Sequence, residues 1–327
     1  MRKMYLPVLA AMVSFASCTK MAEAEQPQNN DDLYDIVFKI PTEETKTTNG
    51  ISDSNISSLQ LYVFKTDGTI ENSAYLTNAT SVSLKCTQGQ KDIIAVANAP
   101  KLQNVSNYSE LKSRTTTLAK NSTSNLIMVG ITKAVIQSGT TVTVPVKRAA
   151  AMILVNKVLV NFSHEYYNTL PFKLKKIMIS NVPGDLSLDG TSTPTLWHNK
   201  MGVTDSNDNS VLSLIMDDQI DYSLTSLNPY TTEHKFLCYP NPTTSDANGG
   251  TWSARKTRIV ICTTLDGKDY YYPITINKVE SNKKYSLSLL ITRPGSEDPD
   301  IPISTLDAQI QVNIEEWGTG ATLSETI

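Results

Sequence analysis

Cysteine and histidine are scarce in this chain, whose 327 residues include four cysteines and three histidines. The cysteines have no C-x-x-C spacing, and an odd number remains once Cys18, at the end of a secretion signal, is set aside. This pattern argues against a disulfide framework and against a zinc site. Two of the remaining cysteines lie within alternating apolar runs, so we expect buried free thiols, with a single bridge as the alternative, at Cys86, Cys238 and Cys262.

Catalytic and nucleic-acid-binding patterns are also missing. The three histidines are His164, His198 and His234, and none of them lies in an H-E-x-x-H motif. The sequence also has no nucleophile elbow. The formal net charge of -3, without clusters of Lys and Arg interleaved with aromatic residues, gives no reason to expect nucleic acid as a partner. The sequence therefore predicts neither an enzyme nor a nucleic-acid-binding protein.

Two acidic stretches resemble ligand sites only in part. D205-S-N-D-N-S210 begins like a calcium loop, but Ser210 replaces the turn glycine and Met216 stands where the bidentate glutamate belongs. The second stretch follows a Pro-Gly turn, which favours a solvated loop, and contains Glu297, Asp298 and Asp300. We expect polar loops in both places, and no metal and no cofactor.

The N-terminus has the features of a secretion signal. Arg2 and Lys3 precede an apolar run over 5–13 that is too short to span a bilayer. F15-A-S-C18 resembles a bacterial lipobox, in which the signal is cut before a cysteine that is then acylated. We expect a signal peptide over 1–17, lipid on Cys18 and a polar tether over 18–32. The alternative is an ordinary signal peptide with an incidental cysteine.

Strand signals dominate the rest of the chain. Alternating apolar segments such as L59-Q-L-Y-V-F64 and Y285-S-L-S-L-L-I291 are separated by Gly and Pro clusters. Only the stretch that starts at Asn107, with Glu110 three residues on, has a helix start signal. A length of 327 residues with 40% hydrophobic composition suits two domains. We predict an all-β chain with few short helices, as two β-sandwich domains in series over 33–148 and 149–317.

The first strand and the last ten residues are unusual. Apolar side chains alternate along the first strand, at Tyr34, Ile36, Phe38 and Ile40. That strand runs directly into a polar loop that exposes Lys46 to proteases. After a clean strand that carries Leu306, Ala308, Ile310, Val312 and Ile314 on one face, residues 318–327 form a tail. If the tail is extended, its apolar residues Ala321, Leu323 and Ile327 lie on one side. The tail has no obvious partner strand in this chain.

The order of these segments resembles the fimbrillin family, the type V pilins of Bacteroidia. The resemblance rests on the lipobox cysteine, the polar tether, the first strand and the basic loop, followed by L59-Q-L-Y-V-F-K-T-D-G68 and K91-D-I-I-A-V-A-N98. It continues through V146-K-R148 to L290-I-T-R-P-G-S-E-D-P-D-I301 and D307-A-Q-I-Q-V-N-I-E-E-W317, and so covers nearly the whole chain. For the fold, it implies that the two sandwiches are transthyretin-like.

For function, the resemblance implies a pilus subunit that supports adhesion. In the family, a precursor lipoprotein reaches the outer membrane, a trypsin-like surface protease cuts the loop after the first strand, and that strand leaves with its lipid. A strand from another subunit, taken to be the C-terminal tail, then fills the groove. On this chain the implied cleavage lies between Lys46 and Thr47, where better-known members have arginine. The implied partners are other copies of the chain or related pilins in a cell-surface fimbrium.

A second hypothesis comes from a different functional class. The chain would then be a permanently lipidated surface protein, either the pilus anchor or a binding lipoprotein that never polymerises. An anchor keeps its first strand and its lipid. The basic loop and the strand-like tail are the features that distinguish the two hypotheses, because only a polymerising subunit needs both.

Overall fold

The computed structural model describes residues 32–41, 55–203, 209–304, 306–317 and 322–326, with Asn209 and residues 322–326 described by their backbone. Its helices are short: α1 (Tyr108–Ser113), α2 (Glu165–Asn168) and α3 (Asn209–Ile215), with two 3-10 turns at Leu118–Lys120 and Lys200–Gly202. The strands are β1 (Leu33–Lys39), β2 (Ser58–Phe64), β3 (Ile70–Thr77), β4 (Ser81–Thr87), β5 (Gly89–Ala97), β6 (Thr115–Thr117), β7 (Met128–Ile136), β8 (Thr141–Thr143), β9 (Lys147–Arg148), β10 (Ala151–Val160), β11 (Phe172–Ser180), β12 (Val182–Pro183), β13 (Asp185–Ser187), β14 (Trp197–His198), β15 (Met216–Asp217), β16 (Tyr222–Ser223), β17 (His234–Cys238), β18 (Arg258–Leu265), β19 (Lys268–Thr275), β20 (Lys283–Ile291), β21 (Ala308–Glu316) and β22 (Thr322–Thr326). The prediction of an all-β chain with few short helices is confirmed.

Two sheets face each other in the N-terminal half. The larger has the order β3-β2-β5-β7-β9 with antiparallel neighbours, and the smaller has the order β4-β1-β8. Their inner faces share one apolar cluster, to which β2 contributes Leu59, Leu61 and Val63. The alternation in L59-Q-L-Y-V-F64 sends these three side chains to the same face of the sheet.

The opposite face of the larger sheet is buried as well. Tyr62 and Phe64 on that face belong to a second apolar cluster, which extends through the C-terminal half as far as Trp317. Gln60 is buried beside them, and its amide Nε2 donates to the carbonyl oxygen of Pro100 at 3.1 Å while its Oε1 accepts from Leu102 N at 2.7 Å. The segment after β5 therefore covers this face.

The C-terminal half is built on two further sheets. One has the order β17-β10-β20-β21-β22, in which β10 and β20 run parallel; the other has the order β15-β11-β18-β19, with β16 also on β11. A short antiparallel pair, β6 with β13, links the two halves. The chain passes from the first sheet to this half between β9 and β10, through Ala149 and Ala150.

Local signals explain where several elements begin and end. The side chain of Asn107 accepts from the backbone N of Glu110 at 2.9 Å, so the predicted helix cap is confirmed. The alternating segment T141-V-T-V-P-V-K147 does not form one strand: β8 ends at Thr143 and β9 starts at Lys147, because Pro145 has no N–H to donate. Among the described residues, no helix is long and apolar enough to cross a membrane.

Candidate functional site

The first strand occupies the centre of the three-stranded sheet. It pairs antiparallel with β4 from Leu33 opposite Thr87 to Lys39 opposite Ser81. It pairs parallel with β8, with Phe38 opposite Val142. The backbone contacts continue past its end, since Ile40 N donates to Thr80 O at 2.8 Å and Val144 N donates to Lys39 O at 2.9 Å. Within the described residues, β4 and β8 are joined only through β1.

The inner side of β1 lies in the N-terminal core. Ile36 and Phe38 are 0% exposed and Ile40 is 1% exposed, whereas Tyr34 is partly buried at the edge of the same cluster. The outer side carries exposed Leu33, Asp35, Val37 and Lys39. This one-sided burial follows from the alternation of the sequence.

Apolar side chains form the floor and walls of the groove in which β1 lies. The floor is provided by β2 and β5, and the walls by β4, β8 and the segment after β8. The cluster includes Leu61, Ile93 and Ala95 on the floor, and Val142 and Val144 on the walls. Without β1, these side chains would line an apolar channel between two unpaired strand edges.

One end of the groove is polar. At the end of β4 that pairs with Leu33, Thr87 donates from N and Oγ1 to Glu71, and Lys91 Nζ lies 2.8 Å from a Glu71 oxygen. Burial opposes the ionisation of Glu71, but hydrogen bonds from Lys91 and Thr87 outweigh it and lower the pKa of this carboxyl. The groove is therefore apolar from Ile36 onwards and charged beyond Tyr34.

The cysteines are placed as expected. Cys86, opposite Tyr34, is a buried free thiol, as are Cys238 and Cys262. Burial raises the pKa of Cys86 to about 11 and the pKa values of Cys238 and Cys262 to about 12. These thiols are protonated at neutral pH and are poor nucleophiles. The prediction of buried free thiols is confirmed.

Three of the predicted site residues, Cys18, Lys46 and Thr47, lie outside the described residues. The described chain stops at Pro41 and resumes at Asn55, so the basic loop lies between β1 and β2. These two strands do not pair with each other; β2 pairs with β3 and β5. The loop is thus the covalent link between β1 and β2, whereas the hydrogen bonds that hold β1 come from β4 and β8.

The tail has a partner in its own chain, contrary to the expectation from sequence. The backbone of β22 pairs antiparallel with β21, from Thr322 opposite Glu315 to Thr326 opposite Gln311, with Leu323 opposite Ile314. The strand β22 is the last in its sheet. The predicted tail residues Ala321 and Ile327 lie outside the described residues. The sequence does not indicate this partner, because Gly318 and Gly320 suit a flexible segment as well as a turn back onto β21.

The root of the tail is tightly held. Trp317 is 2% exposed, and its backbone N donates to Asn282 O at 2.8 Å. Arg148 Nη1 donates to the carbonyl oxygen of Trp317 at 2.8 Å and to Asn282 Oδ1 at 3.2 Å. This cluster ties the end of β9, in the N-terminal half, to the point where the tail begins.

One acidic residue contradicts its predicted environment. Asp300, expected in a solvated loop, is 0% exposed. Its Oδ2 accepts from Arg255 Nη1 at 2.5 Å and from Gly249 N at 2.7 Å, and Arg258 Nη1 binds its other oxygen. Two arginines compensate the cost of burying this carboxylate. The close spacing of Arg255 and Arg258 before an apolar strand was the only sequence signal for this cluster.

A buried histidine forms the other polar cluster of the C-terminal half. His234 Nδ1 lies 3.0 Å from Asp217 Oδ2, and its Nε2 lies 2.7 Å from Tyr230 Oη. Burial lowers the pKa of His234, while Asp217 opposes that shift. The cluster joins β15 to β17, strands of the two C-terminal sheets. Among the described residues, no group of His, Cys, Asp and Glu is arranged to hold a metal ion.

The sequence matches a family model described as major fimbrial subunit protein (FimA), over residues 36–209. The fold is similar to that of a fimbrilin (FimA) from Porphyromonas gingivalis W83, with a TM-score of 0.64 and 19% identity over 88% of this chain and 98% of that one. A protein of Bacteroides eggerthii suggested to act in cell adhesion gives a TM-score of 0.66 and 16% identity over 88% of this chain and 96% of that one. The tip fimbrial protein Mfa3 of Porphyromonas gingivalis, with a C-terminal truncation, gives a TM-score of 0.56 and 14% identity over 88% of this chain and 100% of that one.

Proposed function

This chain belongs to the family of the major fimbrial subunit protein, and from that premise we propose that it is exported as an outer-membrane lipoprotein precursor, cleaved after Lys46 and polymerised by strand exchange. It is a structural subunit of a cell-surface fimbrium, from a family of fimbrial subunits and not of enzymes. Lipid on Cys18, the trypsin-like surface protease and the support of adhesion are parts of the proposal. The partners are other copies of the chain or related pilins.

The observation that carries the proposal is the position of β1. It fills the space between β4 and β8 but is linked to β2 only through the loop that contains Lys46. Cleavage in that loop would therefore leave β1 held by non-covalent contacts alone. An extended segment from another subunit would find two unpaired strand edges and an apolar floor in its place.

The burial of apolar side chains on β1 supplies enough free energy to drive the exchange of this strand. Loss of the buried Ile36, Phe38 and Ile40 side chains corresponds to about 4.5–9 kcal/mol of apolar burial. That is comparable to the whole stability of an ordinary domain, about 5–15 kcal/mol. An uncut subunit would stay closed, and a cut subunit would be stabilised strongly by a replacement strand.

The donor in this proposal is the tail, with Ala321, Leu323 and Ile327 directed into the groove of a neighbouring pilin. Head-to-tail insertion of this kind is heterologous and does not close on itself, so it produces a filament. The tail must first leave β21, where β22 is the last strand of the sheet. Releasing an edge strand costs less free energy than releasing a central strand, because an edge strand pairs on one side only.

One observation favours the alternative of a permanently lipidated anchor or surface binding lipoprotein. Both strands that would have to move are paired within this chain, β1 on both sides and β22 on one. A protein with no need to exchange strands would have the same arrangement. In that case Cys18, the tether and β1 would stay together for the life of the protein.

The N-terminal residue of the protein recovered from cell-surface filaments tests the proposal. A subunit that has exchanged its first strand begins at Thr47. An anchor begins at Cys18, with fatty acid attached. Recovery of acylated chain alone, from filaments and from the membrane alike, would favour the anchor and contradict the proposal.

A further inference from the structure

The groove of β1 and the tail of the same chain do not match in size or charge. We infer that this subunit accepts the strand of a different pilin and not that of another copy of itself. This inference rests on the strand exchange proposed above. It concerns the described groove and the sequence of the tail.

The groove requires large apolar side chains at three successive inward positions. These are the positions of Ile36, Phe38 and Ile40, each at most 1% exposed. The middle position lies between Val82 on β4 and Val142 on β8, with which Phe38 is in register. The apolar cluster around these positions includes Leu59, Leu61, Ile93 and Ala95. The charged pair of Glu71 and Lys91 lies beyond these positions, at the Tyr34 end of the groove. Lys91 Nζ contacts Glu71 and donates to Thr87 Oγ1 there.

The tail carries a carboxylate on its apolar side. In an extended strand, Glu325 projects to the same side as Ala321, Leu323 and Ile327, while the other side is polar. If the tail runs in the direction of β1 with Ile327 in the place of Ile40, Glu325 replaces Phe38. If the tail runs in the opposite direction with Ala321 in the place of Ile40, Glu325 replaces Ile36. Either alignment puts a carboxylate in a position where β1 buries an apolar side chain.

Shifting the tail by four residues in the direction of β1, or by two residues in the opposite direction, exchanges this problem for another. Among the shifts that move Glu325 away from these three positions, the two that still fill all three, one for each direction, put Ala321 in the place of Phe38. They also put Thr319 in the place of Ile36 or Ile40. An alanine in a site shaped for phenylalanine leaves a cavity, and a buried threonine leaves a hydroxyl to satisfy. No alignment of this tail restores the contacts of β1.

The strand that fits is therefore one with large apolar residues at three alternate positions and an aromatic or leucine-sized residue in the middle. Such a strand must come from a pilin of different sequence, so this subunit takes a fixed place in a fimbrium with more than one kind of pilin. The same rule applies to the tail, which suits a groove that offers room or positive charge to Glu325. Specificity arises here because the wrong strand buries a carboxylate.

A peptide competition experiment on the cleaved chain tests the inference. The precursor is cut at Lys46, and a labelled peptide of residues 32–41 is exchanged into the groove to establish that the groove accepts strands. Unlabelled tail peptides of residues 318–327 then compete: the native peptide, a Glu325→Phe peptide, and a Ser324→Phe peptide as the matched control with the ring on the other side. We expect the Glu325→Phe peptide to displace the label at about 100-fold lower concentration than the other two.

Assembly of the whole chain gives the second measurement. By size-exclusion chromatography and electron microscopy, cleaved wild-type chain should stay monomeric on its own, whereas cleaved Glu325→Phe chain should form filaments. The inference is overturned if the native peptide competes as well as the Glu325→Phe peptide, or if the wild-type chain polymerises alone. It is overturned equally if the labelled peptide exchanges but Glu325→Phe gives no gain. If the labelled peptide does not exchange at all, strand exchange itself fails, and the inference fails with it.

Discussion

Arg148, the last residue of β9, donates from Nη1 to the carbonyl oxygen of Trp317 at 2.8 Å, and its guanidinium carbon lies 4.9 Å from the centroid of the Trp317 ring. Arg148 is 2% exposed and Trp317 is 2% exposed, so the contact is dry. It connects the first sheet of the chain to the residue after which the tail begins. This buried contact therefore joins the N-terminal half to the root of the tail.

Replacement of Arg148 should weaken this connection. In Arg148→Ala, the Trp317 carbonyl and the Asn282 side chain lose a buried donor, which should lower the free energy of unfolding by about 2–4 kcal/mol. Denaturant titration measures the loss. The exposed neighbour provides the control, since Lys147→Ala should change the same quantity by less than about 0.5 kcal/mol. Equal effects of the two substitutions would show that the buried contact contributes little.

Fatty acid on Cys18 is expected from the F15-A-S-C18 segment. Cells that express the chain and are grown with a fatty-acid analogue should label the wild type and leave Cys18→Ala unlabelled. Cys86→Ala is the matched control, because this thiol is buried and protonated and should not affect labelling. Equal labelling of the wild type and Cys18→Ala would contradict the lipidation of Cys18.

Mild trypsin on the folded precursor should give one dominant product that begins at Thr47. Lys39 is the competing site nearest to Lys46, but it lies in β1, and its carbonyl oxygen accepts from Val144 N at 2.9 Å. A strand held on both sides does not fit a protease cleft. Lys46→Ala should abolish the product, whereas Lys39→Ala should leave it. N-terminal sequencing identifies the cut, and a dominant product starting elsewhere would refute this assignment.

Deletion of residues 319–327 should leave a folded, soluble monomer that cannot extend a filament after cleavage at Lys46. The deletion removes β22, which pairs with β21 on one side only, while Trp317 and its contacts remain. We expect the melting temperature to fall by no more than about 3 °C. Electron microscopy of cells with the truncated chain measures filament length. If the truncated chain still extends filaments, the donor strand lies elsewhere; if it unfolds, β22 is an integral part of the fold.

Stability should fall in mild acid because of His234. Burial lowers its pKa in the folded state, so the unfolded chain takes up the proton first as the pH falls. The contribution of the neutral ring is complete above the ordinary pKa of about 6.5 and is lost as the pH drops through the lower folded value. Denaturation midpoints at about pH 7.5 and about pH 5 should differ more for the wild type than for His234→Phe. The exposed His164→Asn should behave like the wild type; a wild-type difference no larger than that of His234→Phe would rule out this role.

The parts of the fold that the sequence predicts are those set by local alternation. The pattern of Ile36, Phe38 and Ile40 predicts a strand with one buried side, and Asn107 predicts the start of α1. The burial of Gln60 was not predictable in this way, because the segment that covers it is selected by tertiary packing. Asp300 is a similar case, since its two arginines come from a distant part of the chain.

The candidate site was predictable to the extent that it depends on β1. The identity of its neighbours was not, because periodicity says which side of a strand is buried but not which strands lie beside it. The pairing of β22 with β21 was missed for the same reason. Gly318 and Gly320 are compatible with a flexible segment and with a turn, so the sequence does not select β21 as the partner.

The pairing of β1 also constrains how the protein is made. Its partner β8 lies about a hundred positions later in the chain, and β4 lies between them in sequence. If the chain is exported N-terminus first, as proposed above, the smaller sheet can close only after Thr143 has emerged. Until then β1 has no complete site and β2 has an uncovered apolar face, and such long-range pairing forms slowly. The first strand is therefore among the last parts of the smaller sheet to find its complete site.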